Sequence, residues 1–318
     1  MVRPRVAARI GALVLLTLPA ACGRSSGTGG AAPAQFALLP GTKSQMIAWD
    51  GHPRTYLLHR PEGLPPSSHP PLVVVLHGAS LTADQTERYY HWDPLADADG
   101  FVVAYPQGIN NAWNAGSCCG DAPDRGTDDI GFIGAVIADA AERTDADPSR
   151  RYLTGVSNGA MMTLRYECQR PRRLAAIGSV AGTFTSPCDH PPPVPFIAIH
   201  GLDDEVVTFA KSSSTAEAGP NMRLPALETI GRFLTADRCH DVVTRTAGSV
   251  HTQTASCASG LAVEVITVEG AGHQWPGAKL DAARRAVDGP RDQPSAAIDA
   301  TAELWSFFAA HTVSQTER

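Results

Sequence analysis

The chain has 318 residues, of which 43% are apolar and 18% charged, and its formal net charge is −6. That balance supports a sizeable buried core and excludes a chain without one. It also argues against nucleic acid as a partner, because neutralising phosphates takes an excess of Lys and Arg.

Arg3, Arg5 and Arg9 precede a short apolar run over 10–18, too short to span a bilayer and built like an export signal. The run ends Leu18-Pro19-Ala20-Ala21-Cys22, which resembles a lipobox: small residues before a cysteine that receives lipid. Leu18 stands one place further from Cys22 than is usual. The expectation is a lipoprotein-type signal over 1–21 and a lipid anchor on Cys22 that attaches the chain to a membrane. A Gly-, Ser- and Ala-rich tether follows over 22–41, then one folded domain over 42–312. The chain would then be exported and held at the cell envelope; plain cleavage and release outside the cell is the alternative.

Residues 46–49 and 55–59 flank Asp50-Gly51, the pattern of a β-hairpin. The run 72–76, Leu-Val-Val-Val-Leu, is continuous, apolar and too short for a helix, as in a strand buried on both faces. A helix is expected over 82–91 and a second buried strand over 101–104. Residues 113–128 read as loop, and Asp128-Asp129 open a helix with Ile130, Ile133, Ile137 and Ala141 on one face. Further strands are expected at 151–154, 175–180, 196–199 and 263–268, and a last helix at 298–310. Strands alternating with helices define an α/β class with a mostly parallel sheet covered on both faces.

The strand at 152–154 runs into Gly155-Val156-Ser157-Asn158-Gly159, and helix formers follow. This is G-x-S-x-G in its strand–turn–helix setting, where glycines allow a turn sharp enough to lift the serine above the sheet. The helix dipole and the Asn158 N–H can there stabilise an oxyanion. A serine hydroxyl needs a base, and in this fold the partners follow in the order acid, then histidine. Asp203, Asp204 and Glu205 all lie just past the strand that ends near His200, and spacing leaves the choice among them open. His273 follows the last strand on a Gly-rich loop and is the expected base. His77 and His200 compete by composition but stand on the wrong side of that chain order. The second oxyanion donor is expected after the 72–76 strand, at the Ala79 N–H beside Gly78.

Several segments together resemble the poly(3-hydroxybutyrate) depolymerase and feruloyl esterase family, akin to carbohydrate esterase family 1. They are LVVVLHG (72–78), FVVAYP (101–106), WNAGSCCG (113–120), DDIGFI (128–133), YLTGVSNGAMM (152–162), HGLDDEVV (200–207) and GAGHQWPG (270–277). The resemblance implies the α/β-hydrolase fold, Ser157 as nucleophile, His273 as base and Asp204, four residues past His200, as the acid. It supports Ala79 and Asn158 as oxyanion donors, although many members carry Cys or Tyr where this chain has Ala79. Trp275 is expected either to line the substrate site or to pack as a structural aromatic. The implied reaction is acyl transfer through an acyl-enzyme, on short or soluble esters, with no cofactor and no metal. A peptidase or thioesterase on the same scaffold, or an anchored binding protein with a vestigial triad, are the alternatives.

Besides Cys22 there are six cysteines, an even number that suits disulfides in an oxidising compartment. Cys239 and Cys257 flank a polar stretch and are expected to staple a surface loop. Sequence alone leaves fifteen connectivities open; because a vicinal bridge is strained, Cys118 and Cys119 would bond more easily to Cys168 and Cys188 than to each other.

Overall fold

The computed structural model describes residues 41–65, 67–210, 224–288 and 292–313. The expected signal, Cys22 and all of the expected tether except Gly41 lie outside the described residues. β1 (Gly41–Trp49) and β2 (His52–Arg60) pair antiparallel from Trp49↔His52 to Gly41↔Arg60. Asp50 and Gly51 are both left-handed, with φ of 50° and 74°, as a two-residue type I′ turn requires.

The remaining strands are β3 (Leu72–Leu76), β4 (Val102–Pro106), β5 (Arg151–Val156), β6 (Ala176–Val180), β7 (Phe196–Gly201), β8 (His240–Ala247), β9 (Val250–Ser256) and β10 (Ala262–Val268). They form one sheet in the order β1-β2-β4-β3-β5-β6-β7-β10-β9-β8, parallel from β4 through β10 and antiparallel at both margins. The helices are α1 (Ala83–Tyr90), α2 (Trp92–Asp99), α3 (Asp129–Thr144), α4 (Asn158–Gln169), α5 (Ala226–Ala236), α6 (Ala282–Asp288) and α7 (Ala300–Ala309). Among the described residues no helix is long and apolar enough to cross a membrane.

Alternation along β3 shows how the two faces are filled. Leu72, Val74 and Leu76 join the core layer that contains Ile133, Met161 and Phe233 of α3, α4 and α5. Val73 and Val75 join the layer with Tyr90, Trp92 and Leu304 of α1, α2 and α7. Side chains of period two, covered on both sides, explain why the strand reads as an unbroken apolar run. Thr82 caps α1 reciprocally with Gln85, and Asp128 caps α3 through the Gly131 N–H.

Two expectations need correction. The polar stretch between Cys239 and Cys257 is not a loop but the antiparallel pair β8–β9, turning at Gly248 (φ 60°) and closed at its base by the Cys239–Cys257 disulfide. Every residue of β8 is exposed, so no core face imposed the alternation that marks a strand. The other disulfides are Cys118–Cys119 and Cys168–Cys188, not bridges between the two pairs. Cys118 Sγ lies 4.0 Å from Asn158 Nδ2, at the start of α4. Cys168 sits near that helix's other end, roughly 15 Å along the axis.

A buried pair of charges ties the first hairpin to α3. Arg54 Nη2 lies 2.8 Å from Asp129 Oδ1, both are nearly solvent-free, and the Asn114 N–H donates to Asp129 Oδ2 at 2.8 Å. Removing one partner of such a pair strands the other charge. Asp129→Ala is therefore expected to cost about 3–5 kcal/mol, read as a lower urea midpoint with an unchanged slope.

Two further carboxyls are buried away from this pair. Burial pushes the Glu167 carboxyl up to about 8 against the pull of the Arg172 backbone, and the Asp237 carboxyl up to about 7 against that of Val194. Each binds its proton more tightly folded than unfolded. The stability it contributes is complete below the ordinary carboxylate range and is lost as pH rises through these values. Calorimetry of Glu167→Gln is expected to give a melting temperature several degrees above the parent at pH 8.5, the gap narrowing toward pH 5.

Candidate active site

The chain crosses from one side of β3 to the other between β4 and β5, and in open parallel sheets the crevice at such a switch lies at the strands' carboxyl ends. The ends of β3, β5, β7 and β10 deliver residues 77–79, Ser157, Asp204 and His273 to that edge.

Ser157 occupies the turn between β5 and α4 with φ 54° and ψ −120°, a backbone region that a residue with a side chain occupies only under constraint. The constraint is visible. The Ser157 N–H donates to Val180 O at 2.9 Å, and its carbonyl accepts the first helical bond, from Met161, also at 2.9 Å. A Cβ on Gly155 would stand 2.6 Å from the Gly159 carbonyl carbon, and one on Gly159 would overlap the Leu76 carbonyl. The two glycines let the strand, the turn and β3 approach this closely. Because the α4 ladder starts at Met161, the N–H groups of Asn158, Gly159 and Ala160 lie ahead of it at the positive end of the helix.

Ser157 Oγ lies 2.7 Å from His273 Nε2, and His273 Nδ1 lies 2.8 Å from Asp204 Oδ2. Asp204 is 4% exposed, whereas Asp203 and Glu205 face solvent, so of the three carboxylates only Asp204 reaches the histidine. Its Oδ1 accepts the N–H groups of Val206 and Val207 at 2.9 and 2.8 Å. Burial alone would raise this carboxyl. Hydrogen bonds from His200 and His273, with their charges, outweigh that and hold it far below the usual carboxylate range. Burial likewise favours neutral His273, but Asp204, through its hydrogen bond and charge, and then Asp292 and Asp288 raise its proton affinity above that of an ordinary histidine.

The competing histidines are otherwise engaged. His77 is fully buried, its Nδ1 2.8 Å from Gly78 O and its Nε2 accepting the Gly108 N–H at 2.9 Å. Burial pushes it down to about 4, so it is a neutral strut under the 77–79 turn. His200 stands behind Asp204, with Nε2 2.7 Å from Val207 O and 3.3 Å from Asp204 Oδ2.

Ala79 lines the same pocket as Ser157 and His273. Asn158 makes contacts that the motif does not announce. Its amide accepts from the Trp113 N–H at 2.7 Å and donates to Trp113 O at 3.0 Å, which locks the 113–119 loop to the helix start. Trp275 lines the pocket too, but it is 2% exposed, stacked on Tyr90 at 4.4 Å, and its Nε1 donates to Thr301 Oγ1 at 3.2 Å. It is a packed wall with its polar tip already occupied. Sequence reasoning missed Asp292, whose Oδ1 accepts the His273 N–H at 2.8 Å; nothing local to residue 292 marks it.

A serine raised on a strand–helix elbow at the switch point of such a sheet defines the α/β-hydrolase fold, and the comparisons narrow the class. The profile of the esterase PHB depolymerase family matches residues 55–191. The Nocardia uniformis protein named "Putative esterase NocK" is 31% identical over 284 residues, covering 83% of this chain and 82% of that one. Feruloyl esterase C of Emericella nidulans is 27% identical over 55% of this chain and 65% of its own length. For the poly(3-hydroxyalkanoate) depolymerase C of Paucimonas lemoignei the figures are 29%, 69% and 58%. The acetyl xylan esterase of Aspergillus awamori superposes with a TM-score of 0.52 at 16% identity, over 77% of this chain and 98% of that one, a likeness of fold. The chain belongs to the esterase PHB depolymerase family, and it is a carboxylic ester hydrolase.

Because the Asp204 carboxylate contributes most to the proton affinity of His273, the imidazole is expected to titrate above 6.5 by NMR. In Asp204→Asn it is expected to titrate below that value.

Proposed function

We propose that the protein is an exported serine esterase that works through an acyl-enzyme, with Ser157 as nucleophile, His273 as general base and Asp204 holding the imidazole. The observation that carries this reading is the unbroken sequence of contacts Ser157–His273–Asp204, at 2.7 and 2.8 Å. Ser157 attacks the ester carbonyl as His273 takes its proton. Asp204 keeps the Nδ1 proton in place and stabilises the imidazolium. The oxyanion points at the N–H groups of Asn158 and Ala79, each such donor being worth about 10²–10³ in rate. The imidazolium then returns its proton to the leaving alcohol, and water enters by the same route to release the acid.

A short acyl group is favoured on physical grounds. The cavity at Ser157 measures about 90 Å³, room for a handful of water-sized groups by the measure in which one water needs roughly 10–15 Å³. The feruloyl, acetylxylan and polyhydroxyalkanoate esters named for relatives differ in acyl size, and this volume favours the smaller ones. The disulfides agree with folding outside the cytoplasm. Together with the N-terminal pattern they support export with lipid on Cys22, cleaved after residue 21, followed by a tether and one catalytic domain.

The test is hydrolysis of p-nitrophenyl acetate, butyrate and decanoate, beside an anilide of the same acids. The expected result is turnover of the acetate and butyrate ahead of the decanoate, little of the anilide, and loss of about 10⁴-fold or more in Ser157→Ala. Equal turnover by Ser157→Ala would overturn the assignment of the nucleophile, and anilide cleavage at the ester's rate would make the protein an amidase.

A further inference from the structure

Asp292 lies outside the Ser157–His273–Asp204 series, on the segment that follows α6. His273 is held from two directions: its ring by Asp204 at 2.8 Å, and its main chain by Asp292, whose Oδ1 accepts the His273 N–H at 2.8 Å. We propose that Asp292 is a positioning residue for the base: it fixes the His273 peptide so that Nε2 stays on Ser157, and its charge stabilises the imidazolium formed there. The inference rests on the reading of His273 as base.

The loop that carries His273 needs such a tether. It contains Gly270 and Gly272, residues that leave a backbone freest before it is ordered. The segment from Asp292 onward is laid along this loop. The Ser295 N–H donates to Gln274 Oε1, and the Gly277 N–H donates to Ser295 O at 2.8 Å. Asp292 is the member of this seam that reaches the histidine itself.

The charges around the imidazole leave Asp292 a distinct electrostatic part. From the β7 side come Asp204 and, behind it, His200. From α6 comes Asp288, but Arg284 neutralises it through both carboxylate oxygens, at 2.5 and 3.0 Å. Tyr90 of α1 lines the pocket as a neutral phenol, its proton held by burial. After Asp204, Asp292 is the larger source of raised proton affinity at His273. A carboxylate near a developing positive charge acts most strongly where water is scarce.

Two variants and two readouts test this. Asp292→Asn keeps an oxygen for the His273 N–H and removes the charge; Asp292→Ala removes both. The first readout is the NMR titration of the His273 Cε1–H, assigned by its absence from His273→Gln. The second is the pH dependence of kcat and kcat/KM on p-nitrophenyl acetate. The expected result is a titration midpoint moved toward acid by about 0.3 pH or more in Asp292→Asn, with the acid limb of kcat/KM following it. In Asp292→Ala kcat falls on the order of tenfold, with KM changed less. An unmoved His273 midpoint in Asp292→Asn overturns the proposal, and that variant decides the matter if Asp292→Ala does not fold. Absence of Ser157-dependent hydrolysis in the parent would instead overturn the reading of His273 as base, while the NMR titration still reports whether Asp292 acts on the imidazole.

Discussion

Everything at the active edge depends on one backbone constraint: Ser157 is held at φ 54° between a strand and a helix. A residue with a Cβ does not rest in that region unless its surroundings leave it no alternative. Here the surroundings are the bond to Val180, the first bond of α4, and two glycines that let β3, β5 and α4 close on one another. The same turn presents the hydroxyl to His273 Nε2 at 2.7 Å and sets Ser157 directly ahead of the first turn of α4. The position of Ser157 and that of the helix start beside it are thus consequences of a single local geometry, which Gly155 and Gly159 permit.

The parts that serve the serine come from distant chain segments, and electrostatics decides which of them can. Asp204 is buried, accepts two backbone N–H groups and faces two histidines, so it stays ionised where an unaided carboxyl would not. Its charge in turn raises the proton affinity of His273. His77, whose ring nitrogens meet the Gly78 carbonyl and the Gly108 N–H, is pushed the other way by burial and serves as a strut. Burial favours the neutral ring in both histidines, and the carboxylate beside His273 reverses the outcome there.

Legibility in the sequence followed burial and locality. Strands covered on both faces, such as β3, stood out because every side chain is apolar, and the elbow stood out because its glycines, serine and flanking elements are contiguous. The strand β8 did not, since a strand exposed on both faces has no periodic signal. The disulfide partners of Cys118 and Cys168 depended on the separation of the two ends of α4, which residue order does not carry. Spacing left Asp204 as one of three adjacent carboxylates; the family resemblance singled it out, and burial separates it from Asp203 and Glu205. Asp292, nineteen positions from the amide it holds, belongs to a seam that exists only in three dimensions.

The most direct measurement of the central claim is covalent labelling with a fluorophosphonate, followed by mass spectrometry of the intact protein and of its peptides. The account predicts one adduct per chain, located on Ser157, absent from Ser157→Ala and formed far more slowly in His273→Gln. An adduct on another residue, or labelling of Ser157→Ala at the parent's rate, would contradict it.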